Sequence, residues 1–439
     1  MLSKEANELL TRVGPGTVMG DLMRQYWMPF LYSWEIEPDG APLRVRLLGE
    51  DLIAWRDTDG RVGLINQYCP HRGASFFFGR NEERGIRCVY HGWKFDVDGN
   101  CTDMPNEPPE SNFKHKVKAT TYRCVDRGGV VFAYMGPLQD NPPGLPQFEW
   151  MTVPAVQRHH EYKAVLECNW VQALEGDIDT AHLYFLHSRL DPSQNPATGV
   201  YHPDRSPRLE ITEQEYGLLY GARRVEGPDR IYWRTTQFLM PIYTMFPASE
   251  DGIVPSHIYT PIDDEHTLHW GVRWHPVREL PERELMSNKA EIAGMGHMRE
   301  EQHGKFFAHW WPAARQDNDF LLDRDVQRSQ TYTGIPTIRL QDAAVITSMG
   351  PIQDRTTERL GTTDAMIIKV RQRLMRAATA LREHGMAPPG VDRPEAYRVR
   401  SGSVVLADGL DWKAAMAAWH EGRDTEPPSV TVARAGGSV

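Results

Sequence analysis

Four residues in two short segments constrain this chain more than anything else in it: Cys69-Pro-His71 and, after sixteen intervening residues, Cys88-Val-Tyr-His91. Each segment supplies one thiol and one imidazole, so two loops have to meet at one point. Two thiolates and two neutral imidazoles suit a [2Fe–2S] cluster in which one iron takes both sulfurs and the other both nitrogens. Exchanging two thiolates for imidazoles makes the cluster less negative. Its potential rises to roughly −150 to +300 mV, against about −400 mV for an all-thiolate plant-type cluster. A chain so equipped handles electrons singly. The rival is zinc, which also takes Cys and His but usually groups like ligands as C-x2–4-C and H-x3–5-H. Here each half carries one of each. Pro70 and Gly73 shape the first loop and Gly92 the second.

The chain has 439 residues, room for two or three domains around a large core. A net charge of −10 favours neither a nucleic-acid partner nor an anionic membrane surface. No run approaches the ~18 apolar residues of a membrane-spanning helix. The start, Met1-Leu-Ser-Lys-Glu-Ala-Asn-Glu-Leu-Leu10, lacks the basic-then-apolar order of a signal peptide, so the cytoplasm is the expected location. Of five cysteines, Cys69 and Cys88 are committed to the metal group. An odd count with that commitment argues for a reducing compartment rather than a disulfide framework. Cys101, Cys124 and Cys168 read as small buried side chains.

The expected class is α+β. Residues 1–40 read as an N-terminal helix and arm, with Gly14-Pro-Gly16 ending the helix after Val13. Pro15 and the lack of a preceding strand argue against a phosphate loop there. Residues 41–146 read as a small all-β domain, with strands such as Leu43–Leu48, Leu52–Trp55 and Gly129–Tyr134 and turns at Asp59-Gly60 and Asp98-Gly99-Asn100. The Pro- and Gly-rich stretch Pro137–Pro146 closes it. Residues 147–439 are mixed. A helix is expected near 168–186, strands near 208–224, 231–246 and 256–275, and a helix-rich stretch at 281–304. A long helix over 363–384 has Thr362 or Thr363 as N-cap and Gly385 as its stop. The last dozen residues read as a mobile tail.

The first helix of that second half contains Glu175-x3-Asp179-x2-His182-x4-His187. Two imidazoles and a carboxylate make the facial set that suits non-haem Fe(II), with positions left for O2 and substrate. Five residues correspond to about 140° around an ideal helix, so a straight helix cannot aim both histidines at one metal. The spacing predicts that the helix ends, bends or widens between them, with Tyr184 and Phe185 packing outward. Asp179, one turn before His182, is placed to orient its imidazole; a solvated helix carboxylate is the plainer reading. The third ligand has to come from elsewhere, with Asp317, Asp319, Asp323, Asp325 and Asp342 as candidates.

The runs Cys-Pro-His-Arg-Gly-Ala (69–74) and Cys-Val-Tyr-His-Gly-Trp-Lys-Phe (88–95) resemble the two cluster loops of Rieske ring-hydroxylating oxygenases. Asn169-Trp170 resembles the motif that opens the ligand helix. The segment 340–352 resembles the one that supplies the carboxylate, with Asp342 at the matching place. The strings 7–16, 79–83 and 349–355 are most similar to the phthalate dioxygenase group, and the resemblance spans nearly the whole chain.

It implies an N-terminal all-β Rieske [2Fe–2S] domain and a C-terminal helix-grip catalytic domain, an antiparallel sheet with helices. Cys69, His71, Cys88 and His91 would hold the cluster, and His182, His187 and Asp342 a mononuclear Fe(II). Asp179 would bridge subunits, linking His71 or His91 of one chain to His182 of the next in a homotrimer or stacked hexamer. Electrons would come from NAD(P)H through a separate reductase carrying FMN and a [2Fe–2S] cluster. The chain has no dinucleotide fingerprint, so no flavin or NAD is expected in it. The implied reaction is O2-dependent ring hydroxylation of a small aromatic, carboxylated and phthalate-like. O- and N-demethylating monooxygenases share the ligands, so the pattern does not separate the two. An electron carrier without oxygenase activity needs only the β domain, which the long second half argues against.

Arg208 is the candidate clamp for a substrate carboxylate, which guanidinium matches bidentately; the competing reading is a surface arginine paired with Glu210. Met240, Ile242, Tyr243, Met245 and Phe246 read either as an apolar wall for a ring, with Met245 a substrate contact, or as a core strand. Asn169 either lines the site or simply opens the helix. Trp310-Trp311, His303 and His309 read as core and ordinary exposed residues.

Overall fold

The computed structural model describes residues 1–191, 204–282 and 304–427. Most of the expected helix-rich stretch 281–304, including His303, and the expected tail lie outside the described residues.

The first half is built from short antiparallel strands. β1 (Trp27–Tyr32) pairs with β10 (Val130–Tyr134), and β10 with β9 (Arg123–Arg127). β2 (Leu43–Leu47), β3 (Glu50–Arg56) and β4 (Val62–Asn66) form a meander. β5 (Arg80–Glu82), β6 (Gly85–Arg87), β7 (Lys94–Phe95) and β8 (Cys101–Asp103) form a four-stranded sheet that carries the second cluster loop between β6 and β7. A separate small core of Ile53, Trp55, Ile65, Phe76, Ile86 and Phe95 packs directly against Cys69, Cys88 and Trp93. Cys101, in β8, is buried there too.

β1 falls inside the stretch expected to be an arm. Its six residues are all buried, yet Pro29 sits in the middle. Proline cannot donate to a ladder and is confined to edge strands or bulges. β1 is an edge strand whose register shifts between Pro29 and Leu31, and the sequence cue therefore pointed away from a strand. The preceding helices, α1 (Lys4–Thr11) and α2 (Val18–Arg24), are capped by Ser3 and Thr17. They pack on the second half: Asn7 Nδ2 donates to Gln353 O, Tyr26 OH to Pro389 O, and Arg382 to Asp21.

The second half is one eight-stranded antiparallel sheet in the order β11-β17-β16-β15-β14-β13-β12, with β18 also paired to β14. The strands are β11 (Arg158–Leu166), β12 (Arg208–Gln214), β13 (Gly217–Gly227), β14 (Arg230–Leu239), β15 (Tyr243–Met245), β16 (Val254–Pro261), β17 (Thr267–Trp274) and β18 (Ser403–Ala407). The expected strands are present, divided by turns. The sheet is covered by α3 (Trp170–Ile178), a short α4 (Leu183–Leu186), α5 (Ile338–Ser348) and α6 (Ala365–His384), with α7 (Trp412–His420) after β18. α6 stops at Gly385 as expected, at φ 65°. Its N-cap is Asp364, while Thr362 and Thr363 lie in a 3-10 turn before it.

The halves are tied by a buried ion pair. Lys163 of β11 meets Glu35 beyond β1 within a box of Tyr32, Trp270 and Trp310 rings, and Trp310 Nε1 donates to the same carboxylate at 2.7 Å. Removing either partner would leave a buried charge unpaired, which is strongly destabilising. Among the described residues no helix is long and apolar enough to cross a membrane.

Candidate metal centres

The two cluster loops are built alike. In the first, Gly73 N–H returns to Cys69 O and Cys69 N–H reaches Ala74 O, both at 2.9 Å. In the second, Gly92 N–H returns to Cys88 O and Cys88 N–H reaches Trp93 O, again at 2.9 Å. Gly73 and Gly92 take φ of 75° and 79°, a region glycine enters without penalty. Each loop thus keeps its cysteine buried and sets its histidine on the rim. The His71 and His91 rings stand 4.5 Å apart. Trp93 lies nearly parallel to His71 at 4.3 Å, and its Nε1 is held by Asn106 Oδ1 at 2.7 Å. Tyr90 covers His91 at 4.0 Å. Burial pushes the Cys69 thiol up to about 12, so a bound cation is what would hold that sulfur as a thiolate. Two buried cysteines on matching loops whose two histidine rings lie side by side at the rim fit a [2Fe–2S] cluster.

In the second half, the break expected between His182 and His187 falls earlier, at Asp179, and the single helical turn α4 lies between the two histidines, ending at Leu186. Asp179 leaves helical geometry at φ −88°, ψ 110°, and its Oδ1 accepts the Ala181 N–H at 2.7 Å. That Asx-turn ends α3, and α4 restarts between His182 and His187. The Nε2 atoms of His182 and His187 then lie 3.7 and 3.2 Å from the same oxygen of Asp342. One donor atom from each of the three residues lies within 4.8 Å of the others. Two imidazole nitrogens and one carboxylate oxygen around a point, with the remaining side open, fit a mononuclear Fe(II).

Asp342 arrives on α5, which approaches α3 closely at Gly176: a Cβ there would sit 3.1 Å from Ile346 Cδ1. The other candidate carboxylates are engaged elsewhere or stand apart. Asp317 pairs with Arg315, Asp325 with Arg328, and Asp323 caps the helix Arg324–Ser329. With Asp319, none joins the group.

The outer nitrogens are held as well. His187 Nδ1 donates to Gln341 Oε1 at 2.8 Å, and Gln341 Nε2 donates to Ile335 O at 3.0 Å. With Nδ1 protonated, the Nε2 lone pair faces the metal position. Gln341 was absent from the sequence candidates, although its place beside Asp342 is the signal that could have found it. His182 Nδ1 faces Asp179 Oδ2 at 3.6 Å. Asp179, His182 and Asp342 line one wall of a cavity of about 200 Å³, with Val345 and Met349 beside them.

Glu175, the first acidic residue of the motif, lies one turn before Asp179 but is not among the three donors. It is buried and accepts hydrogen bonds from Arg355 and Arg371, the latter also holding Glu358. Burial opposes its charge, yet the two guanidiniums hold its carboxyl below the usual range. Asp177 fixes the other side of α3 to the sheet, accepting from His257 Nδ1 at 2.8 Å and Thr244 Oγ1 at 2.5 Å.

Residues 26–129 match the Rieske [2Fe-2S] domain, and residues 133–431 match the family described as LigXa C-terminal domain like. The chain is 38% identical, over 93% of its length and 96% of the relative's, to the 3-chlorobenzoate-3,4-dioxygenase oxygenase subunit of Comamonas testosteroni. The chain belongs to the Rieske oxygenases. It is also 38% identical, over 94% of both chains, to the phthalate 4,5-dioxygenase oxygenase subunit of Pseudomonas putida. The 5,5'-dehydrodivanillate O-demethylase oxygenase subunit of a Sphingobium strain is 32% identical over 86% of this chain and 80% of its own. This Rieske oxygenase shares its fold with Pseudomonas putida CBB5 NdmA with caffeine, at a TM-score of 0.60 and 18% identity over 85% of this chain and 96% of that one. It is an oxygenase subunit of the aromatic ring-hydroxylating or demethylating kind. Its class carries a [2Fe–2S] cluster and mononuclear non-haem iron.

Three expected contacts of this Rieske oxygenase fall elsewhere. Asn169 does not line the cavity. It caps α3 by accepting from Val171 N–H, and its amide donates to Thr11 O and Asp264 O, which uses its hydrogen-bonding capacity away from the metal. Met245 points to the far face of the sheet. Strand side chains alternate, and it is Thr244 beside it that reaches α3, through Asp177, while Phe246 packs on His257. Arg208 opens β12, exposed and opposite Arg223; Glu210, its expected surface partner, accepts from Trp412 Nε1 instead. Phe185 is exposed beside Tyr332, as expected of an outward residue, whereas Tyr184 is buried.

Proposed function

We propose that this Rieske oxygenase is the oxygenase component of a dioxygenase acting on a small carboxylated aromatic of the phthalate or benzoate type. The observation that carries the reading is the convergence of His182, His187 and Asp342 in a chain that also holds a paired Cys/His cluster site. Two relatives covering nearly the whole chain, named for 3-chlorobenzoate and phthalate, support the substrate class.

Residues 41–146 carry the cluster, through Cys69, His71, Cys88 and His91, and residues 147–439 carry the iron. When bound, the cluster supplies electrons singly and the mononuclear iron supplies the position for O2 activation. The chain's own residues prepare both. Gln341 keeps the His187 proton on Nδ1. Asp179 stands behind His182 with an open flank, where a cluster histidine of a neighbouring copy docks. Exposed Tyr68, Val89 and Tyr90 surround the cluster loops, and exposed Val345 and Met349 flank the cavity beside Asp179. Such unlike faces close a ring when the rotation allows, which supports a homotrimer, alone or stacked as a hexamer. The electron donor is a separate NAD(P)H-dependent reductase with FMN and a [2Fe–2S] cluster. No disulfide joins any of the five cysteines, in keeping with a cytoplasmic location.

A single turnover of reduced, iron-loaded enzyme with ¹⁸O2 tests the reading against phthalate isomers, benzoates and methoxybenzoates. A diol carrying two labelled atoms is expected. A demethylated phenol with formaldehyde would instead make it an O-demethylating monooxygenase with the same metal centres.

A further inference from the structure

Five arginines of the described chain are buried, and they fall into two groups. Arg355, Arg371 and Arg400 each sit on a carboxylate: Glu175, Glu175 with Glu358, and Glu149. Arg224 and Arg234, 2% and 8% exposed, form no ion pair among the described residues. These two are neighbours. β13 and β14 pair Ala222 with Arg234 and Arg224 with Tyr232, and strand alternation puts both guanidiniums on one face of the sheet. That face looks at the loop between α3 and α4, because Arg224 Nη2 donates to Thr180 O and to Thr180 Oγ1, each at 3.0 Å. Thr180 directly follows Asp179 and precedes the iron histidine by two residues.

Several polar atoms in this corner are unfilled. Nε and Nη1 of Arg224 are buried without a hydrogen bond, and so are the hydroxyls of Tyr184, from α4, and Tyr220, from β13. Arg234 donates to Thr236 Oγ1 at 3.2 Å. Burial and the neighbouring Arg234 both work against the charge on Arg224. A buried charge without a partner is costly, and its unfilled donors add to the cost. Arg224, with two buried unfilled donors, and Arg234, without an ion pair among the described residues, stand side by side near the loop that carries the metal histidines, where an anion would balance them.

We propose that Arg224 and Arg234 form an anion subsite for the carboxylate of an aromatic substrate, with the Tyr184 and Tyr220 hydroxyls as further donors. This takes over the role expected of Arg208. It deepens the aromatic-carboxylate reading and rests on it only for the word substrate, because the subsite binds a carboxylate whether or not turnover follows.

The test is binding to the purified holoenzyme without turnover, by calorimetry and thermal melting, using benzoate and its neutral counterpart benzamide. Wild type is expected to bind benzoate about tenfold or more tighter than benzamide. Arg224→Gln and Arg234→Gln should each remove that preference, leave benzamide binding in place, and leave the melting temperature without ligand unchanged or higher, because an uncompensated charge is gone. Tyr184→Phe, which deletes one hydroxyl, should weaken benzoate by a few-fold and spare benzamide; it serves if an arginine variant does not fold. Equal binding of benzoate and benzamide by wild type, or a preference for benzoate that survives both arginine variants, would overturn the subsite. A lower melting temperature for Arg224→Gln with the preference intact would make Arg224 a strut for Thr180 and would also overturn it. Failure of the ¹⁸O2 experiment with benzoate binding still arginine-dependent would sink the aromatic-carboxylate dioxygenase reading and leave the subsite standing.

Discussion

In the cluster half, each ligand pair is positioned by its own loop. Gly73 closes on Cys69 and Gly92 on Cys88 within four residues, so a C-x-H or C-x-x-H string is almost a complete description of the local shape. In the catalytic half, the ligands come from α4 and its flanks and from α5, more than 150 residues apart in sequence (342 − 187 = 155). They are brought together by packing at Gly176 and oriented by side chains, Gln341 for His187 and Asp179 for His182. A site built by backbone turns tolerates changes in its surroundings and fails when its glycines change. A site built by helix packing depends on partners scattered through the fold.

The sharpest way to break this contrast is at the iron. His182→Ala should lose mononuclear iron and stop turnover while the cluster keeps its absorption. Cluster loss together with the iron would mean that the two sites are not separable. Asp179→Ala comes next. Both metals should stay bound, read by iron content and cluster spectrum, while steady turnover falls by roughly a hundredfold or more. Normal turnover would remove the inter-subunit bridge.

Gln341→Leu deletes the partner of His187 Nδ1 and should weaken iron binding by about 10–100-fold, as read by titrating iron back into the metal-depleted site. A variant with native iron affinity would show that packing alone orients His187. The cluster half is probed by Gly92→Ala against Gly73→Ala. Both force a side chain into the left-handed region, at about 1–2 kcal/mol. Only at Gly92 would the Cβ also meet Pro105 Cγ, at 2.6 Å, since Gly73 faces open space. Gly92→Ala should therefore retain less cluster and melt lower by the overpacking cost, about 1–3 kcal/mol. Equal losses would mean that backbone strain alone governs both loops.

Legibility follows the same division. The Rieske cluster, the α+β class, the strands of the large sheet and the Gly385 stop were readable because each is a local pattern: a spacing, an alternation, a residue that suits positive φ. That no long straight helix carries both histidines was readable from geometry, since five residues cannot face one way on a straight helix, but the place of the break, after Ile178, was not. β1 was not, because Pro29 reads locally as a strand breaker while its edge position makes it harmless. For Asn169, Met245 and Arg208 the sequence left a pocket role and a structural role both open, for a related reason. Each has a side chain suited to a pocket, but which face of an element looks inward is set by what packs on it.

The sequence by itself put one Cys and one His on each of two short loops and required that His182 and His187 not share a long straight helix, because covalent spacing and backbone sterics act over a few residues. Only the tertiary structure brought Asp342, which the family resemblance had singled out, onto both histidines, set Gln341 on His187 Nδ1, and laid Arg224 beside Arg234 with no ion pair among the described residues. Those outcomes depend on α5 meeting α3 at Gly176 and on the register of β13 with β14. Such contacts are selected by the summed packing of the whole core, and no short stretch of sequence contains them.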